Sequence, residues 1–174
     1  FCDMLRTDQL ILRAMEPSDL ELLYAWENDS KNWDVSNTLS PFSKATLARF
    51  INDSQDIYAS KQQRLMIDLV AGNKTIGCID FFDFDPKHKR AGVGILIAIE
   101  QERGKGYAKV ALNELVDYSR EVLDLNQLYC NILADNQKSI QLFQSVGFTQ
   151  IGVKKDWCFL NGSWVDELMF QLFL

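Results

Sequence analysis

The sequence predicts an α/β (α+β) chain: a mixed, mostly antiparallel sheet with one central parallel pair, flanked by helices. Three observations predict it. An apolar run of strand length, Val93 to Ile99, passes through a glycine turn into a helical pattern and then into a second apolar run, Gln127 to Ile132. A crossover through a helix of that length makes the two runs parallel, with a right-handed connection. Turn residues at Ala71-Gly72-Asn73-Lys74 and at Asn161-Gly162 each join two strand-like runs, which reads as antiparallel hairpins. Finally, 174 residues suit a single domain, 1–174, large enough to bury a core without staples.

Taken in order, Gln9 to Arg13 alternates as a first strand. Ser18 followed three residues later by Glu21 forms a capping box ahead of Leu20, Leu23 and Tyr24, so a helix starts there and ends near Glu27. Asn28 to Leu39 is polar, has no period and is flanked by Trp26 and Trp33; it reads as a loop that shapes a pocket, or as two tryptophans plugging the core. Pro41 and Ser43 introduce a second helix, with Leu47, Phe50, Ile51 and Ile57 at helical spacing and an end near Ser60. The hairpin Arg64–Val70 and Thr75–Phe84 follows, then a basic loop from Pro86 to Arg90 and the central strand, Ala91 to Ile99. A long helix from about Gly106 to Val122 buries Ala108, Ala111, Leu112, Leu115, Val116 and Ser119 on one face. After the strand Gln127–Ile132, Asn136 to Val146 forms a helix stopped by Gly147, and strands near Thr149–Phe159 and Trp164–Phe173 end the chain.

Composition narrows the function classes. Lys plus Arg number 18 against 24 Asp plus Glu, a formal charge of -6, which is the wrong sign for a protein held to nucleic acid by phosphate contacts. An acidic surface suits a cationic partner, and equally suits solubility alone. No apolar run approaches the roughly 20 residues of a membrane helix. Cys2, Cys78, Cys130 and Cys158 are scattered, without a C-x-x-C pair, so reduced thiols and a cytoplasmic location are expected. A single histidine, His88, lies in the basic loop and leaves no material for a histidine zinc site or a Ser-His-Asp triad.

The glycine turn carries the chemistry. A backbone that leaves a buried strand for a helix start has several N–H groups without partners, and glycines let a bulky anion approach them. A P-loop needs Lys followed by Ser or Thr, whereas Lys105 is followed by Gly106. A dinucleotide fingerprint needs a third glycine where Lys109 stands. The remaining pattern, Gln101-Glu102-Arg103-Gly104-Lys105-Gly106, resembles the Q/R-x-x-G-x-G/A pyrophosphate loop of the GNAT superfamily of acyl-CoA N-acyltransferases.

Asn136, Ser139, Leu142-Phe143 and Gly147-Phe148 resemble that family's second cofactor segment, and the order of elements is the family's over nearly the whole chain. Leu12-Arg13 with Pro17-Ser18-Asp19-Leu20, then Tyr118-Ser119, and Trp157 to Asp166 around Asn161-Gly162 are similar to the bacterial spermidine/diamine and ribosomal-protein N-terminal acetyltransferases.

The resemblance implies acetyl-CoA as cosubstrate. Its pyrophosphate would lie on Arg103, Gly104, Lys105, Gly106, Tyr107 and Ala108. Its arm would pair along Leu96, Ile97, Ala98 and Ile99, where a bulge splays the parallel strands, and Asn136 and Ser139 would face arm or thiol. Phe143 stands where many relatives carry an acidic tyrosine, which leaves Ser139, a water or solvent to protonate the thiolate. Asp80 and Asp83 match carboxylates near the acceptor; three apart in a strand, they point to opposite faces, and Asp83 is taken as the base with a water relay. Val93 replaces a further carboxylate of the polyamine branch. The implied partner is a small cationic amine or a peptide N-terminus, and a homo-oligomer is compatible with the sequence. Two other classes stand beside the enzyme: a CoA-binding module without turnover, and an interaction domain without cofactor.

Overall fold

The computed structural model describes residues 5–174. Its centre is a seven-stranded sheet in the order β1-β2-β3-β4-β5-β7-β6, formed by β1 (Leu10–Ala14), β2 (Gln63–Leu69), β3 (Lys74–Asp85), β4 (Arg90–Ile97), β5 (Gln127–Leu133), β6 (Thr149–Leu160) and β7 (Ser163–Phe173). Every neighbouring pair is antiparallel except β4 with β5. The predicted parallel pair therefore sits at the middle of the sheet. Six helices flank it: α1 (Leu20–Glu27), α2 (Trp33–Ser36), α3 (Lys44–Asp53), α4 (Ile57–Ser60), α5 (Tyr107–Glu121) and α6 (Gln137–Ser145).

The two faces of the sheet bury two cores, and strand alternation sorts residues between them. Leu65, Ile67 and Leu69 of β2 and Ile79 and Phe81 of β3 join Leu112, Leu115 and Val116 of α5 and Phe143 of α6 in the larger core. Met66 and Cys78 point the other way, onto Leu23 and Trp26 of α1 and Leu47 and Ile51 of α3. The helix α5 thus buries the face its periodicity marks, and α1 with α3 forms the opposite layer.

Two helix starts differ from expectation. Ser18 does not cap α1; residues Pro17–Asp19 form a single 3-10 turn in which the Asp19 carboxylate reaches back to accept the Glu16 N–H at 2.8 Å. Arg13 of β1 holds the same carboxylate through both guanidinium arms, at 2.8 and 2.9 Å, and also pairs with Asp68 of β2. Buried carboxylates persist only with such partners, and this one fastens α1 to the sheet edge. The second predicted helix ends at Asp53 rather than Ser60, and Asp56 caps the separate turn α4 through the Tyr58 N–H. The loop Asn28–Leu39 contains a 3-10 turn at Ser30–Asn32 and the short helix α2.

Candidate active site

β4 and β5 run side by side for only three residue pairs, Arg90–Gly92 against Gln127–Tyr129. Beyond these, β4 stays on β3 as far as Ile97 and β5 stays on β7 as far as Leu133. Sheet twist carries the two strands apart, and their facing edges are left without a strand partner. The bulge expected at Leu96–Ile99 is not there: the β3–β4 register is unbroken from Gly77 opposite Ile97 to Phe82 opposite Gly92, and its shift lies between Phe82 and Asp85. The resulting cleft, about 210 Å³, is lined by Val93–Leu96 on one side and Cys130–Leu133 on the other. Asn136, Ser139 and Phe143 close it from α6, and Trp26, Glu27 and Asp34 close it from the α1–α2 segment.

The last turns of β4 divide the predicted arm-binding stretch. Leu96 lines the cleft. Ala98 and Ile99 donate their N–H groups to the Ile76 carbonyl, at 2.9 and 3.2 Å, and the Ile97 carbonyl accepts from Arg103 Nε at 2.8 Å. These three residues are pinned to β3 and to the glycine loop, so the open edge for an arm is Val93–Leu96.

After a 3-10 turn at Glu100–Glu102 the loop makes two left-handed steps, at Gly104 (φ 74°) and Gly106 (φ 87°). Gly106 is the N-cap of α5. Among the described residues, no backbone carbonyl or side chain accepts the N–H groups of Gly104, Lys105, Gly106, Tyr107 and Ala108. Five donors without acceptors at the positive end of a four-turn helix form a fitting cradle for a pyrophosphate. Lys105 lies against Glu102 at 2.8 Å, and Glu102 also takes Lys74 at 3.1 Å. The loop is therefore braced from below by an ion-pair cluster rather than offering Lys105 as a free cation.

Of Asp80 and Asp83, the structure brings only Asp80 to the cleft. Asp83 sits at the register shift with φ 48°, is exposed, and accepts from the Tyr129 hydroxyl at 3.3 Å beside the paired ends of β4 and β5. Strand alternation sets it on the face opposite Asp80 and it is not among the residues lining the cleft, so the expectation of Asp83 as base is corrected on placement. Burial, reinforced by Asp83, pushes the Tyr129 hydroxyl up to about 12. Asp80 does not stand alone: both of its oxygens accept from Arg64, at 2.8 and 2.9 Å, and the third arm of Arg64 pairs with Glu27 at the end of α1. Sequence reading missed Glu27 and Arg64, for they lie 37 residues apart and neither belongs to a local motif. The charged residues lining the cleft are Glu27, Asp34, Asp80 and Glu167 against one guanidinium, Arg64.

At the start of α6, Asn136 caps the helix by accepting the Ser139 N–H at 3.2 Å, and the residue lines the cleft. The Ser139 hydroxyl has no hydrogen-bond partner among the described residues and is half-buried in the cleft wall. Phe143 is buried, packed edge-on against Phe148 at 5.1 Å, with part of its ring in the wall. Cys78 and Cys130 also line the cleft, and burial pushes each thiol up to about 12, so neither is a thiolate near neutrality.

The family described as "Acetyltransferase (GNAT) domain" matches residues 9–149. The chain belongs to the GNAT acetyltransferases. It is an acyltransferase of the GNAT fold whose acyl donor is acetyl-CoA. A spermidine N(1)-acetyltransferase of Vibrio cholerae is 27% identical over 163 residues, covering 91% of this chain and 89% of that protein. An uncharacterized N-acetyltransferase of Bacillus licheniformis, p20, is 29% identical over 174 residues, covering 98% and 96%. Among solved structures, spermidine N-acetyltransferase from Vibrio cholerae in complex with CoA and spermine superposes with a TM-score of 0.87 at 25% identity, covering 96% of each chain. No helix among the described residues is long and apolar enough to cross a membrane.

Proposed function

We propose that this GNAT enzyme acetylates a primary amine on a substrate that carries more than one positive charge, of the polyamine kind, in the cytoplasm. The observation that carries this is the cleft wall, which stays net negative: Glu27, Asp34, Asp80 and Glu167 line it, with Arg64 shared by Glu27 and Asp80 and Lys154 paired to Glu167. Such a wall raises the local concentration of a polycation and holds it against the central strands. The names of the Vibrio relatives support the same substrate class.

The donor supplies a thioester that a neutral amine can attack. The pyrophosphate would rest on the N–H groups from Gly104 to Ala108, and the arm would pair with β4 between Val93 and Leu96 as an added strand. Unpartnered N–H groups on that edge are the donors placed to polarise the thioester carbonyl. With Phe143 unable to give a proton, the Ser139 hydroxyl would pass one to the departing thiolate while taking a replacement from cleft water, or water would protonate the thiolate directly. The proton lost by the amine leaves to water in the open cleft, since both oxygens of Asp80 already accept from Arg64.

The test is thiol release from acetyl-CoA with spermidine, a monoamine and an alanine-terminated basic peptide, at low and moderate salt. Spermidine should give the highest kcat/KM, and its KM should rise with ionic strength while kcat holds. A clear win by the peptide would assign the chain to acetylation of protein N-termini instead. Donor binding without turnover on any amine would make it a CoA-binding module.

A further inference from the structure

We infer that Glu27, oriented by Arg64, is the residue that holds the non-reacting ammonium of the acceptor and so sets the preference for multiply charged amines; this rests on the amine-acetyltransferase reading above. Three observations lead to it.

The first is the wiring of the ion cluster. Arg64 holds both oxygens of Asp80 in two parallel hydrogen bonds, so neither oxygen of that carboxylate is without a partner. Arg64 touches only Oε1 of Glu27, and Oε2 has no hydrogen-bond partner among the described residues. The three groups sum to one negative charge, and its free acceptor is on Glu27. The Glu27 side chain retains 19% of its exposure and the Arg64 side chain 15%, so the charge is mostly desolvated but reachable from the cleft that both line. An ammonium there meets a stronger field than at an exposed carboxylate.

The second is how firmly Glu27 is held before any ligand arrives. Its backbone carbonyl accepts the Trp33 indole N–H at 2.9 Å. The next residue, Asn28, clamps Phe42 in both directions: its amide donates to the Phe42 carbonyl at 3.0 Å, and its oxygen accepts the Phe42 N–H at 2.7 Å. Arg64 in turn lies over the Phe50 ring at 5.4 Å. A rigid carboxylate costs little further ordering when it takes up its partner.

The third is that Glu27 stands where local helix physics disfavours it. It is the last residue of α1, at the negative end of the helix dipole, with no basic residue in that turn. A residue that breaks a local rule while making a defined interaction elsewhere belongs to a working site more often than to the scaffold.

Putrescine and butylamine form a matched pair of probes, equal in carbon chain and different in one distal ammonium. Wild type should favour putrescine in kcat/KM. Glu27→Gln, isosteric and uncharged, should raise the putrescine KM by about tenfold or more, as loss of a charge-assisted contact does. It should change the butylamine KM and both kcat values less than about twofold, as for a group that binds without entering the chemical step. Arg64→Lys keeps the net charge but cannot bridge two carboxylates, so the putrescine preference should fall with it, and a full preference there would remove Arg64 from the proposal. Calorimetric titration of putrescine into the CoA complex reads the same loss without turnover. An amine panel that gives no turnover would then overturn the enzyme reading alone. Should Glu27→Gln prove too unstable, Glu27→Asp, which withdraws the charge by one methylene, must lower the putrescine preference. Equal KM changes for both amines, or a fall in kcat at unchanged KM, would overturn the proposal.

Discussion

Gly77 is where the donor edge of the sheet is most exposed to a single added atom. It lies opposite Ile97 on β4, just past the register shift in the β2–β3 ladder. A Cβ built on it would stand 2.0 Å from the Leu96 carbonyl oxygen and 3.0 Å from Ile97 Cα, both of them backbone. Carbon and oxygen pack at about 3.3–3.6 Å, so β4 must retreat by roughly 1.3 Å, beyond the stretch a ladder hydrogen bond tolerates. Overpacking of this kind costs about 1–3 kcal/mol, and one or two weakened ladder bonds add about 1 kcal/mol each. A total near 3 kcal/mol lowers Tm by roughly 6–12 °C in a chain of this size. The same retreat displaces Leu96, the end of the open edge, so the Kd for CoA should rise together with the loss of stability. Gly94→Ala is the control: its Cβ would meet nothing within 4 Å, because Gly94 faces the cleft. That variant should melt within about 2 °C of wild type. Thermal melting and CoA calorimetry on the two variants decide the matter. A Gly77→Ala protein with unchanged Tm and CoA affinity would refute the claim that close backbone approach at this point positions β4.

Three other outcomes are expected. Gly106→Val puts a β-branched residue at φ 87°, at the mouth of the donor cradle, and should weaken CoA at least tenfold by calorimetry while far-UV circular dichroism is preserved. Phe143→Tyr adds a hydroxyl to a ring that borders the cleft, so turnover should stay level or rise a few-fold with Tm within about 3 °C; a larger drop would mean that the hydroxyl is buried without a partner. Burial raises the Cys78 and Cys130 thiols from 9.0 to about 12, so the unfolded chain loses these protons first. Stability should be flat below about pH 8 and fall between about pH 9 and 12, seen as a lower urea midpoint at pH 10 than at pH 8, with a shallower fall in a Cys78→Ala/Cys130→Ala variant.

The sequence made legible whatever is encoded within one element or one turn. The helix α5 ends within a residue of its expected bounds, Asn161 and Gly162 take the left-handed pair of φ values, 50° and 82°, that a two-residue hairpin requires, and the glycine loop caps α5 as its spacing implies. What stayed hidden depends on where the sheet brings distant residues. Asp83 lies outside the cleft because alternation sets it on the face opposite Asp80, and which of the two faces holds the cleft is decided by how β3 packs, not by any local motif. Asp19, rather than Ser18, closes the first turn of the α1 segment because Arg13 from the neighbouring strand already holds its carboxylate. Ser54 ends α3 before its apolar spacing runs out, and Asp56 then starts a new turn. Glu27 and Arg64 are ordinary surface-type residues until α1 docks over β2.

Only three rungs join the two leaves of this sheet, β1 to β4 on one side and β5, β7 and β6 on the other. A donor lying in the wedge touches both leaves at once, so its binding free energy is also cohesion between them. At a concentration one hundred times its Kd that amounts to about 2.7 kcal/mol, comparable to what several backbone hydrogen bonds contribute. Amides of the far hairpin β6–β7, which no donor atom need approach, should then exchange more slowly with solvent in the CoA complex than in the free chain. The acyl donor would in this respect be a structural member of the protein, and the supply of acetyl-CoA would set how tightly the molecule is closed as well as how fast it turns over.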